Sequence, residues 1–547
     1  NWSKAGYPGN IPVYSTIKNI LDFGGAGNGI DANDAALQNA INSLNDQNGT
    51  IYFPAGSFLF IQPITLRSGI VLKGEGAPAT TLLFNLSGPF SLINIFGDST
   101  STISHITSVV SKDAVSFPVD NVSLFSVNDY IKIYQNDAAL TNDDYAFGSV
   151  GQIVKIDSIK NNSIYFSNAL RKSYLLTDTP RIRKLEMAVG IGIECLKIKR
   201  LDATAQQTAN IRFADAANCW IKGVESDSCN FAHIKLAEST NIEITNNYFH
   251  GAFAYNDGGK AYGISCEYTS GDCLIENNVF KHLRHSMLVQ SGANGNVFAY
   301  NYSLEPFKSE STPFDLTGDI VLHGNYPYLN LFEGNIVQNI VVDASHGING
   351  PFNTFFRNRA KLYGILFSAA AGDSTNIIGN EITGTGLLKG NYYVQGNGNF
   401  EYGNNKNDTI RPAGTTMLTQ RSLFRSSTPS YWNIGSLWPS IGMPNRLNSG
   451  SIPAYQRFTS STNITYCLTA AAATYTFTGN GNWNMESNWM NNKIPPAVLY
   501  PGSRIIIDPP LGQKCILNIP YFLNPGVLFT VRQGKVFEVQ SNLTFIK

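Results

Sequence analysis

The sequence predicts an all-β protein built as a parallel β-helix, and three observations carry that expectation. A short polar residue followed by alternating apolar residues recurs about every 23 residues through the middle of the 547-residue chain. No helical periodicity runs through those repeats, so each reads as one coil of short strands that pair with their copies in the next coil. Charged residues make up only 14% while aromatic residues reach 12%, a balance that suits an ordered, extensively paired structure and excludes a disordered chain. At this length a single compact core, which stops growing near roughly 250–300 residues, is excluded unless the core extends along an axis.

The elements follow in order. Asp34 to Ile41 carries apolar residues at i, i+3 and i+4 spacing, which predicts a short amphipathic helix capping the first coil. Residues 111–185 break the rhythm and alternate like a small antiparallel insertion. Its acidic tract, Asn136-Asp137 with Asn142-Asp143-Asp144, is a candidate Ca²⁺ site, weighed against a plain solvated loop. Repeat anchors then fall at 195, 218, 241, 272, 296, 330, 353, 376 and 399; the two long intervals, 241 to 272 and 296 to 330, mark loops inserted into a regular coil. An Asn usually stands five residues after the anchor (Asn246, Asn277, Asn301, Asn335, Asn358, Asn404). Its amide can donate and accept along the stack, and it tolerates the left-handed bend between strands. Residues 422–470 read as an extended strap, 470–474 as a linker, and 471–547 as a small C-terminal β module in which Trp483 and Trp489 are core anchors rather than sugar platforms. The expected division is therefore 1–470 and 471–547.

The flanks carry the resemblance. Asp22-Phe23-Gly24-Gly25-Ala26-Gly27-Asn28-Gly29-Ile30-Asp31, then the helix, then Gly49-Thr50-Ile51-Tyr52-Phe53-Pro54-Ala55-Gly56 and the run from Leu66 to Gly76 resemble the opening segment of the pectate-lyase-like superfamily. That resemblance implies a right-handed coil and a glycan as partner. It identifies no reaction, because polysaccharide lyases, polygalacturonase-like hydrolases and phage tailspikes share the fold. The C-terminal segment is similar to β modules of secreted bacterial surface enzymes, which implies a secreted or cell-surface protein.

Other classes are excluded by what is missing or balanced. With 39 basic and 39 acidic residues the chain offers no positive face for nucleic acid, and no run of 18 apolar residues inserts into a membrane. No CxxC, HExxH or GxSxG spacing occurs, so structural zinc, zinc-protease and common serine-esterase chemistry lack support. Cys219 with Cys229, Cys266 with Cys273 and Cys467 with Cys515 are candidate disulfides, weighed against small buried hydrophobes. A monomer is expected.

Six of the seven histidines lie between residues 233 and 346, the band that also holds both inserted loops. Loops on a rigid scaffold are where sites concentrate. The repeat phase places His250, Lys281, Glu305 and Asn339 at one offset, while the loop 312–328 adds Asp315, Asp319, His323 and Tyr326. For β-elimination on a uronic-acid polymer the sugar carboxylate must be neutralised and the C5 proton removed. Arg284, Arg357 and Arg359 are candidate clamps, His285 or His323 the base, and Lys281 or Tyr326 the leaving-group acid, with His250, Tyr255, Tyr262, Glu305 and His346 as further glycan contacts. Inverting hydrolysis instead needs two separated carboxyl groups, for which Glu305, Asp319, Glu333 and Asp343 are candidates. The expectation is a polysaccharide lyase; the alternatives are an inverting hydrolase and a noncatalytic glycan-binding rod.

Overall fold

In a computed structural model the chain is described throughout except at residues 1, 257, 310–316, 369–370, 433–435, 461–463, 468–473, 496–498, 500–502, 524–526 and 546–547. It comprises two compact units, Asn1–Tyr466 and Cys467–Lys547. Asp315 and most of the 470–474 linker lie outside the described residues.

The larger unit is a right-handed parallel β-helix with three sheets running along its axis. The first has twelve strands, and its inward residues form an unbroken register: Ile51, Leu72, Ile193, Ile221, Ile244, Ile275, Phe298, Phe332, Phe355 and Ile377. Leu72 pairs directly with Ile193, so the coil resumes after the insertion as though nothing intervened. The third sheet aligns Ile211, Ile234, Ile264, Met287, Ile320, Ile340 and Ile365 in the same way. Like side chains stacking on like give a continuous apolar core, with Phe298, Phe332 and Phe355 stacked at 4.9 and 5.3 Å. The helix Asp34–Asn42 turns Ala36, Leu37, Ala40 and Ile41 into that core.

The Asn ladder is present but differs from the sequence expectation in its first coils and at Asn380, which the expected set lacks. The stacked residues are Asn247, Asn278, Asn301, Asn335, Asn358, Asn380 and Asn404, each Nδ2 donating to the next Oδ1 at 2.9–3.0 Å. Asn246 and Asn277 instead occupy the left-handed position just before the ladder, with φ of 65° and 55°. The two tasks assigned to one Asn are therefore divided between neighbours: in later coils Tyr300, Gly334, Arg357, Gly379 and Gly403 take the positive φ. Each ladder amide also donates to a backbone carbonyl of the preceding coil and accepts a backbone N–H, as Asn335 does from Asn301 and to Phe298.

Residues 98–186 form antiparallel sheets with their own apolar core. The edge strand Asp98–His105 begins this body well before residue 111. A later segment straps the outside of the coil. Arg357 donates to the carbonyls of Leu418, Gln420, Ile441 and Met443, and Arg359 pairs with Glu381 at 2.6 Å and with the Gly450 carbonyl at 2.7 Å. Both arginines are buried, so their assignment as substrate clamps is corrected: they anchor the strap. Glu333 does likewise, accepting from the Leu423 amide and the Tyr300 hydroxyl.

The smaller unit is also a parallel coil, pairing Thr474–Phe477 with Arg504–Ile507, Arg504–Ile507 with Leu528–Val531, and Lys514–Leu517 with Val536–Val539. Trp483 and Trp489 are buried in its core with ring centroids 4.7 Å apart. The three proposed disulfides are corrected as well: Cys219, Cys229, Cys266, Cys273 and Cys515 are buried free thiols, four of them packed as small apolar groups in the core of a coil.

Two outcomes follow. Asn335→Ala strands a buried Asn301 donor and the Phe298 carbonyl, and is expected to cost about 2–4 kcal/mol, read from chemical denaturation. Arg357→Ala removes the donors to four strap carbonyls and is expected to lower the melting temperature, read from thermal unfolding.

Candidate functional site

The antiparallel body leans on the outside of the third sheet and the turn that follows it. The Gly151 carbonyl accepts from Asn294 Nδ2 at 3.0 Å and from the Tyr328 hydroxyl at 2.7 Å, and Arg171 pairs with Asp272 and Asn294. Further along, the Asn142 amide donates to Asn325 Oδ1 at 2.7 Å. This docking brings Asp143 and Tyr145 onto the histidine band some 200 residues away in sequence.

Three imidazoles stand in line on successive coils. His285 and His323 have ring centroids 5.6 Å apart, and His323 and His346 4.9 Å. His323 Nδ1 lies 2.7 Å from Asp343 Oδ2, and His346 Nδ1 lies 2.8 Å from Asp143 Oδ2. A carboxylate partner fixes the Nδ1–H tautomer, so Nε2 of each carries the lone pair. Burial opposes ionisation of Asp343, but the bond and charge of His323, the Ser345 amide and the neighbouring His285 together outweigh it and hold the carboxyl below its usual range. Asp143 is likewise held down against burial, by Asn325 and His346. His285 sits beside these two, its Nδ1 3.2 Å from the Gly318 carbonyl; burial and the neighbouring His323 and Arg284 charges push its pKa well below the ordinary value and keep the ring neutral.

Tyr145 closes this row. Its hydroxyl lies 3.1 Å from His346 Nδ1 and accepts from Gln290 Nε2 at 2.6 Å and Asn325 Nδ2 at 3.2 Å. Burial and the Asp143 charge raise its pKa. Arg284 lies over the Tyr262 ring at 5.7 Å, and Tyr262 packs against His285 at 5.0 Å. Arg284, His285, His323, Asp343, His346 and Tyr262 are thus one neighbourhood.

The other predicted residues fall elsewhere. His250 pairs with Lys281 in register on the second sheet, but Lys281 then pairs with Leu304, not Glu305. Glu305 sits past the strand end at φ 55°, and Asn339 is buried opposite Gly364. The four-residue stack therefore breaks after two members, because the coil spacing from Lys281 is 23 residues and reaches Leu304, one residue short of Glu305. His250 is occupied by Glu225 at 3.1 Å and Lys281 by Glu305 at 3.6 Å, away from the three imidazoles. Tyr255 packs on His282 and Phe307 at 4.9 and 5.1 Å. Tyr326 packs on Tyr328 at 5.9 Å. Asp319 is enclosed: it accepts from Ser303 Oγ and from the amides of Gln338 and Asn339 at 2.9 and 2.8 Å. Burial lifts its pKa to about 6, and its role is to shape the turn.

Sequence reasoning missed Asp143, Tyr145, Gln290 and Asn325. Asp143 stood in the acidic tract weighed as a Ca²⁺ site against a plain solvated loop; its carboxylate is bound by His346 and Asn325, and Asp137 accepts the amides of Gly148 and Val150 at 2.8 Å. The tract therefore does not fit Ca²⁺, and among the described residues no group of three or more His, Cys, Asp or Glu side chains is placed to hold a metal.

Comparison with known proteins agrees with this architecture. Residues 17–88 match the family model described as rhamnogalacturonase A/epimerase, pectate lyase-like. A capsule K1-specific depolymerase of Klebsiella phage K64-1 is 23% identical over 252 residues, 43% of this chain and 27% of that protein; the chain thus spans about a quarter of this curated relative. Among solved structures, the tailspike protein gp49 of Pseudomonas phage LKA1 superposes with a TM-score of 0.51 at 14% identity, covering 97% of this chain and 78% of that one. The tailspike gp61 of Pseudomonas phage phi297 gives 0.36 at 12% identity, over 73% and 81%. The opening segment is thus similar to the pectate-lyase-like family model, and the coil shares the right-handed parallel β-helix fold of a phage tailspike.

Proposed function

We propose that the protein depolymerises an acidic extracellular polysaccharide by β-elimination, in the groove between the 98–186 body and the third sheet. The observation that carries this reading is the pair of carboxylate-held imidazoles, His323 with Asp343 and His346 with Asp143, whose ring centroids lie 4.9 Å apart and of which His346 meets the Tyr145 hydroxyl at 3.1 Å. The similarity to a capsule depolymerase supports the substrate class.

The chemistry needs three parts. Arg284 neutralises the uronate carboxylate, which makes the adjacent C5 proton acidic. His323 takes that proton at Nε2, with Asp343 stabilising the imidazolium that forms. The C5–H electrons become the C4–C5 double bond as the C4–O bond breaks, and Tyr145 gives its proton to the departing oxygen. The resulting phenolate is left facing the Gln290 and Asn325 amide donors, which lowers the cost of that transfer.

Inverting hydrolysis is the second reading, favoured only by the number of carboxyl groups in the band. It loses support because Asp319 and Glu333 are enclosed by backbone amides and hydroxyls and cannot flank a water and a glycosidic bond.

A panel of uronate-containing polysaccharides followed by ultraviolet absorbance, with reducing ends assayed in parallel, separates the readings. New reducing ends with the unsaturated chromophore are expected; reducing ends without it would make the enzyme a hydrolase. His323→Ala is expected to lower kcat by about 10²–10⁴-fold, with Asp343→Asn following it in part. Tyr145→Phe is expected to lower kcat by about 10²-fold or more with little change in KM, the signature of a group acting in the transition state.

A further inference from the structure

Beside the imidazoles, and sharing Tyr145 with them, lies a cleft of about 420 Å³ that no sequence motif marked. That volume falls within the roughly 300–1,000 Å³ of small-ligand sites. Its floor is the third sheet, where Arg212 and Lys235 are register partners on adjacent coils, both pointing outward. Its far wall is the 98–186 body, through Lys132 and Tyr145. Arg212 is exposed, its guanidinium 5.0 Å from the Phe96 ring centroid. Lys235 lies 3.2 Å from Glu267 and over the Tyr268 ring at 5.4 Å. The Tyr145 and Tyr268 rings meet edge to face at 6.4 Å, an aromatic surface of the kind that packs on a sugar face.

Two carboxyl groups also face the cleft, Asp215 and Glu238, on turn residues of adjacent coils with φ of 49° and 43°. Both remain in place because each is neutralised differently. Glu238 is clamped by Lys132 and by Arg183 at 2.6 Å. Asp215 hydrogen-bonds Glu238. Pairing of this kind leaves no room for a water between the two carboxyls, so they do not form an inverting pair.

Resting on the depolymerase reading, we propose that this cleft is the subsite that holds a hexuronate unit next to the cleaved linkage. Its carboxylate lies on Arg212 and Lys235 and its ring on Tyr268, while Asp215, neutral with its proton on the Glu238 carboxylate, puts no further negative charge beside it. The cations supply charge-assisted hydrogen bonds that a neutral hexose cannot use. Arg212, Lys235, Asp215 and Tyr268 thereby become specificity-determining residues for the acidic sugar.

A pH dependence follows. Burial and then the Glu238 charge lift the Asp215 pKa to about 7, against Arg183 and Lys132, which pull it down. Below that pH Asp215 is neutral, its proton held on Glu238; above it a second carboxylate faces the sugar carboxylate with Glu238 already committed to its two cations. Lys235 and Glu267 complete the charges around the cleft and offset one another. Uronate binding is therefore expected to weaken as pH rises through about 7.

The test titrates the full chain with D-glucuronate, D-galacturonate and D-glucose, followed by calorimetry or protein NMR, in the His323→Ala background so that chemistry plays no part. Saturable millimolar binding of a uronate but not of glucose, weakened about tenfold or more in Arg212→Ala/Lys235→Ala, supports the proposal. Loss of the pH dependence in Asp215→Asn, with binding retained, supports the role of its proton; a purely structural Asp215 would leave the pH profile unmoved. Absence of uronate binding, or binding indifferent to Arg212 and Lys235, overturns it. Cleavage without such binding would leave the depolymerase reading standing and remove only the subsite, whereas binding without cleavage of any polysaccharide would do the reverse.

Discussion

Everything in the larger unit depends on register between coils. A parallel β-helix has no hairpins to fix which strand residue meets which, and a slip of one residue would turn every core side chain outward. The buried amide column from Asn247 to Asn404 removes that freedom. Each Oδ1 takes one backbone N–H and one amide N–H, and each Nδ2 serves the next coil and a carbonyl of the previous one. A slip would leave several buried donors and acceptors unpaired at once, each costing about 1–3 kcal/mol. The column enforces position more than it adds net stability.

Fixed register lets distant segments build one site. Asp143 and Tyr145 come from the antiparallel body, Gln290, His323 and Asn325 from the third sheet and its turn, and Asp343 and His346 from the next coil. Loops of such different origin converge to hydrogen-bonding distances only because the coil holds each turn at a set height. Arg171, Asp272 and Asn294 fix the antiparallel body at one end, and Lys132, Arg183 and Glu238 at the other. Buried charge clusters of this type are weak sources of stability but are sensitive to geometry, which suits a body that must place two side chains against a third sheet.

What was legible in the sequence was whatever repeats. The period, the two inserted loops, the helix Asp34–Asn42 and the ladder residues Asn301, Asn335, Asn358 and Asn404 all leave a periodic mark, whereas Asn380, set one residue off the count, does not. Where the structure departs from the repeat, the reading departed with it. Asn246 for Asn247 and Glu305 for Leu304 are single-residue errors of phase, since counting from anchors cannot see which neighbour adopts positive φ. Arg357 and Arg359 misled for another reason: an Arg at the right offset looks the same whether it faces a groove or a strap, and the strap's carbonyls leave no side-chain signature. Asp143 and Tyr145 were invisible as site residues because their partners are tertiary.

The position of the insertion explains the division of labour along the coil. It interrupts the sequence between Leu72 and Ile193, residues that are nearest neighbours in the first sheet, so it leaves and rejoins the scaffold without disturbing a single pairing. A body attached at one height can lie along the coils that follow it, and this one reaches from Asp215 and Glu238 to His346. The groove it forms therefore runs along the axis, with a cationic, aromatic cleft at the end nearer the attachment and the imidazole row farther on. On the proposed reading, an extended polymer laid in that groove meets a place that reads its charge before a place that moves its protons, so that recognition and chemistry are separated along one chain of sugars while Tyr145 touches both.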